Sequence, residues 1–141
     1  MEKTREWKEK QLRKTLAAAA DRPSYSEEVK LAAIAITLNI RLRSADMPLS
    51  MQERALRFTR SLLDSAPAAG NHRPSPSLLA RSLKKEFDTR YGLAWHCVVG
   101  KSFGSFVTHS PGGFVYFSLD SLSFLLFKTE VQLVTEPHPS S

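Results

Sequence analysis

Imidazole and thiol donors are few in this chain: His72, His96, His109 and His138, with Cys97 the lone cysteine. His96 and Cys97 are adjacent, so on a strand they leave from opposite faces. No Cys-x-x-Cys and no His-x-x-x-His pair is present, and the spacing of a zinc site is missing. Ser105, His109 and Asp120 are the residue types of a nucleophilic triad. They come without a Gly-x-Ser-x-Gly turn and without a glycine-rich helix start to hold an oxyanion. Glu86 and Asp88 lie two apart on a helical pattern and diverge, so they form no acid–base pair. These residues predict no metal, no cofactor and no enzymatic activity.

Two kinds of recognition chemistry remain. Lys101-Ser102-Phe103-Gly104-Ser105-Phe106-Val107 echoes the basic, glycine and aromatic strand motif of RNA-recognition sheets. Stacking two bases needs both rings on one face, and Ser105 moves Phe106 out of phase with Phe103. The order of elements also differs from that fold. An RNA-binding module using Lys101, Phe103 and Phe106 is therefore the alternative reading, and nucleic acid is not the expected partner. The other mode is strand addition, in which an edge strand takes up an extended peptide through its own N–H and C=O groups. Gly104 and Ser105 leave room for a guest backbone, and the flanking aromatics offer pockets for its side chains.

The elements that must position these residues can be read in order. Residues 1–20 hold alanine and long charged side chains, good helix formers, with a poor apolar face at Trp7, Leu12 and Leu16. Asp21-Arg22-Pro23-Ser24 breaks this helix. Ser26 caps a second, with Val29, Ala32, Ala33 and Ile36 expected on its inner side. Leu38–Arg43 alternates apolar and polar, the signature of an edge strand with its arginines in water. Pro48 and Ser50 begin a helix whose Met51, Ala55, Phe58 and Leu62 recur at the period of a buried face. Residues 66–74 form a loop. Ser75 caps the next helix, Pro76 fills its first turn, and Leu79, Leu83, Phe87 and Tyr91 recur every four residues until Gly92. Four strands follow, at about 94–100, 103–109, 114–119 and 122–129. Gly100-Lys101-Ser102, Pro111-Gly112-Gly113 and Asp120-Ser121 connect them. Leu122–Phe127 is nearly all apolar and reads as a central strand. The prediction is an α+β domain, an antiparallel five-stranded sheet with two helices packed on it.

Lysine plus arginine number 20 and aspartate plus glutamate 14, a mild excess of +6. Residues 1–22 alone carry +3, with 7 basic and 4 acidic side chains. No apolar run approaches the ~20 residues that span a bilayer. One cysteine suits a reducing compartment, and the acidic Glu2, Glu6 and Glu9 do not read as a secretory signal. A soluble intracellular protein with no membrane partner is expected.

Lys84-Lys85-Glu86-Phe87-Asp88, Trp95–Gly100, Phe103–His109 and Phe124–Lys128 closely resemble the small, hub-type cytoplasmic dynein light chain family. Ser44-Ala45-Asp46-Met47 matches its entry to the first domain helix. The resemblance covers 38–129, with 1–37 a basic helical extension and 130–141 a tail. It implies a strand-swapped homodimer in which the segment matching Phe103–His109 crosses to the partner's sheet. Two grooves then form, each between that segment and a helix matching Ser77–Tyr91. Each takes a short linear segment of a disordered protein, the dynein intermediate chain among the implied partners. The favoured guest core is Thr-Gln-Thr-like. The implied location is the cytoplasm and its cytoskeleton, in a microtubule motor complex or as a motor-independent dimerising hub.

Carried over by position, the implied groove uses Lys101, Phe103, Gly104, Ser105, Phe106, Val107, Thr108, His109, Phe114 and Tyr116. The implied dimer interface uses His96, Val98, Phe103, Ser105 and Val107. His96 would face its twin, so charging both would loosen the dimer in acid. The family's Glu-Lys pair at the helix start is Pro76-Ser77 here, and its tyrosines are Phe106 and Ser118. Pro76 has no N–H to donate. Preference for a guest glutamine is expected to relax while backbone pairing persists.

Overall fold

The computed structural model describes residues 2–20, 26–65, 73–132 and 134. The expected break at 21–24, loop residues 66–72, His72, His138 and most of the tail lie outside them. Strands β1 Ile40–Asp46, β2 Trp95–Gly100, β3 Phe114–Leu119 and β4 Leu122–Lys128 form one sheet in the spatial order β1-β3-β4-β2. All neighbours run antiparallel. The apolar run of β4 lies inside the sheet, with Phe124, Leu125 and Leu126 buried, as a strand flanked on both sides requires. Asp120 sits at φ 52 in the tight β3–β4 turn.

Among the described residues four helices accompany the sheet: α1 Glu2–Ala20, α2 Glu27–Thr37, α3 Leu49–Asp64 and α4 Pro76–Tyr91. The core lies between α3, α4 and one sheet face. There Ala55, Leu56, Leu79, Leu83 and Phe87 meet Trp95, Val115, Phe117, Phe124 and Leu126. Phe117 and Phe124 are cross-strand partners, stacked at 5.0 Å. Ser75 Oγ accepts from the Leu78 N–H at 3.2 Å, and Gly92 at φ 80 ends α4. Both are the expected signals.

Asp88 joins the end of α4 to β2. Its carboxylate accepts from the Trp95 N–H at 2.8 Å and from the Lys84 ammonium. Burial works against its charge, but those two donors outweigh it, and the carboxyl sits below its ordinary value. Such a group stabilises the fold fully above the ordinary aspartate value of about 3.9. That contribution is lost as pH falls through the lower folded value. Asp88→Asn is therefore expected to cost about 1–2 kcal/mol at neutral pH, and the gap to the parent should close in strong acid. Urea unfolding of both chains across that range checks the sign.

Three expectations are corrected. Among the described residues the sheet has four strands, not five: residues 103–109 form no strand within the chain. A tight hairpin needs a residue at positive φ, and none of residues 100–102 has one. The first strand runs from Ile40 to Asp46 rather than 38 to 43. Leu38 is instead the C-cap of α2, with Asn39 at φ 59. In α2 the buried residues are Leu31, Ile34 and Ala35, while Val29 and Ile36 are exposed. That helix is apolar on both sides, and its seat against α3 and β1 decides which stripe faces in. Leu31 and Ala35 join the same core cluster. α1 reaches α3 through Arg5, 2.8 Å from Asp64.

Candidate functional site

Strand pairing sorts the sheet's helix-free face into rows. Arg41, Ser118, Ser123 and Gly100 form one. Ser44, Tyr116, Leu125 and Val98 form the next. Asp46, Phe114, Phe127 and His96 form the third. The second row is largely apolar and the third centres on two phenylalanines, though among the described residues no helix covers this face. His96 stacks on Phe127 at 5.1 Å and contacts Thr129 Oγ1 at 2.9 Å, and Val98 is 42% exposed.

The stretch from Lys101 to His109 leaves β2 and returns to β3 across this face. Phe103 lies edge-on to Tyr116 at 6.2 Å, and His109 stacks on Phe114 at 4.8 Å. Between these anchors Phe106 is wholly exposed, at 104%. Gly104, Ser105 and Thr108 are exposed and Val107 half-buried. Residues 101–109 make no backbone–backbone hydrogen bond to any described residue; the ladder resumes where the Ser110 N–H meets the Lys128 carbonyl at 2.7 Å. Exposed main-chain groups of this kind are the donors and acceptors of strand addition.

The ten residues of the implied groove thus fall into one contiguous stretch plus two aromatic positions of β3 that touch its ends. His96 and Val98 lie beside them on β2. The structure does not bring the stretch against α4. That helix packs through Phe87 on Trp95, at 4.9 Å, on the opposite face. Within one chain the two walls of the implied groove are separated by the sheet itself. Among the described residues no group of three or more His, Cys, Asp or Glu comes together. No described helix is long and apolar enough to cross a membrane.

One cluster was not found from the sequence. Arg41, Arg43, Ser118 and Ser123 converge, and Arg43 Nε donates to Ser118 Oγ at 2.9 Å. The alternation of Leu38–Arg43 placed the arginines outward. Their hydroxyl partners come from strands some eighty residues away, and no local signal carries that register.

An antiparallel sheet backed by helices on one face, with a strand-length stretch left unpaired on the other, defines an α+β module. A family model described as dynein light chain type 1 matches residues 39–129. The dynein light chain of Schistosoma mansoni is 40% identical over 88 residues, 62% of this chain and 91% of that protein. The cytoplasmic dynein light chain 1 of Debaryomyces hansenii is 42% identical over 88 residues, 62% of this chain and 89% of that one. Among solved structures, the dynein light chain-like domain of a Fasciola hepatica calcium binding protein superposes with a TM-score of 0.56 at 21% identity. It covers 66% of this chain and 94% of that domain. The chain belongs to the dynein light chain family.

Proposed function

We propose that this protein is a non-enzymatic, dimeric adaptor that captures short extended segments of other proteins by strand addition. The observation that carries the reading is the unpaired backbone of residues 101–109 beside an apolar, helix-free sheet face. Two features support a second copy as its first partner. Val98, Phe114 and Phe127 give that face the apolar character of an association surface. The stretch and α4 also lie on opposite faces of their own sheet, so a groove between them requires another chain's helix. Crossing of 103–109 to a partner's β2 edge would satisfy one side of its main chain and offer the other side to a guest. Each backbone bond then adds ~1 kcal/mol net, against the cost of ordering the guest. Paired grooves add avidity without new contacts.

The relatives named cytoplasmic dynein light chains support work in the cytoplasm as part of a dynein complex, with the intermediate chain a natural guest. Residues 1–37 would then extend a domain of residues 38–129, with α2 seated on its core. The test is direct. A labelled extended oligopeptide carrying a Thr-Gln-Thr core should shift the Gly104 and Val107 amide resonances. A response confined to some other surface would overturn the reading. With Pro76-Ser77 at the helix start, replacing the guest glutamine by alanine should weaken capture without abolishing it; complete loss would refute the relaxed preference.

A further inference from the structure

A cleft of about 620 Å³ opens at the end of the sheet where the unpaired stretch begins. Lys8 of α1, Arg41 and Arg43 of β1 and Lys101 supply four cations to its lining, and Ser118 and Ser123 supply hydroxyls. Its one carboxylate, Asp120, is already paired with Arg73 at 3.5 Å. Lys8, Arg41, Arg43 and Lys101 have no ion-pair partner among the described residues. Two devices aim the arginines. Arg41 stands directly opposite Ser118, which stands opposite Ser123. Arg43 is the extra residue of a bulge, because Leu42 faces Phe117 and Ser44 already faces Tyr116. A bulge re-aims a side chain, and this one directs Arg43 onto Ser118, itself nine-tenths buried.

We infer that this cleft is an oxyanion site that reads a phosphorylated serine or threonine on the captured segment. The inference rests on the adaptor reading for what delivers the segment. A phosphoryl group carries about −1.5 to −2 charges and three acceptor oxygens. Guanidinium forks match that geometry, and the serine hydroxyls supply further donors. The lining holds no aromatic ring on which a base could stack, which argues for a peptide over a nucleic acid. Lys101 lines the cleft and begins the unpaired stretch, so a guest lying along 103–109 would run its end into the cations.

The test uses the full chain and extended decapeptide libraries that differ only in one fixed position: phosphoserine, serine or glutamate. The phosphoserine set should bind about tenfold tighter than the serine set, with glutamate between them, and the difference should shrink in high salt. Arg41→Gln, at an exposed side chain with no partner, should erase the difference while leaving the serine set within about twofold. Lys8→Gln, on a separate helix, should reduce it. If the serine set moves the Gly104 and Val107 amides but phosphorylation changes nothing, or if Arg41→Gln keeps the full difference, the inference falls and the adaptor stands. If inorganic phosphate shifts Arg41 and Arg43 but no peptide set binds, the adaptor reading fails, and the guest-borne phosphate fails with it. A single-stranded oligonucleotide that displaces the phosphoserine set at lower concentration would overturn the assignment in favour of nucleic acid.

Discussion

Lysine in place of His96 is expected to hold the chain as a folded monomer and, with that, to abolish guest capture. His96 is exposed in the single chain, beside Phe127 and in one row with Phe114. A lysine there costs the isolated fold little, because its ammonium stays in water. In the proposed symmetric pair the same position would be covered, and two ammonium groups would meet there. Leaving a charge buried without a partner costs about 3–5 kcal/mol. The dimer dissociation constant should then rise by roughly a hundred- to several thousand-fold. Sedimentation velocity should find the parent as a dimer and the variant as a monomer, with equal far-ultraviolet dichroism. If both sediment as monomers, or both as dimers that bind peptide equally, the adaptor model is wrong.

The second large effect concerns the fold. Phe87 is wholly buried, with its ring 4.9 Å from Trp95 and 5.1 Å from Tyr91. With Asp88, it is one of the contacts through which α4 grips β2. Phe87→Ala removes a ring's worth of burial and leaves a void that close-packed neighbours fill only in part. The expected loss is about 3–5 kcal/mol, a large fraction of the 5–15 kcal/mol that a domain typically holds. Phe87→Leu should fall between the two chains in urea. A denaturation midpoint unchanged by the alanine would mean that α4 is held by something else.

What the sequence disclosed depended on whether a pattern had one physical solution. The four-residue recurrence of Leu79, Leu83 and Phe87, closed by Ser75 and Gly92, fits only a helix with that face inward. The apolar run Leu122–Phe127 fits only a covered strand. α2 offered two apolar stripes, and the choice between them was made by α3 and β1, which its own residues cannot report. Residues 103–109 have strand composition, yet a strand exists only with a neighbour, and the turn before them supplies none. The implied groove residues were legible as a family pattern. The Arg41–Ser118–Ser123 row was not, since it arises only once distant strands come into register.

Cys97 is half-buried against the core, and burial pushes its thiol up to about 12. Reaction with alkylating or oxidising reagents needs the thiolate. At neutral pH that form is far scarcer than for a free cysteine. As the chain's sole sulfhydryl it is a silent clock: reagent uptake would count openings of the sheet one event at a time. The same silence leaves the rest of the surface free for a single engineered attachment point, without first removing a native one.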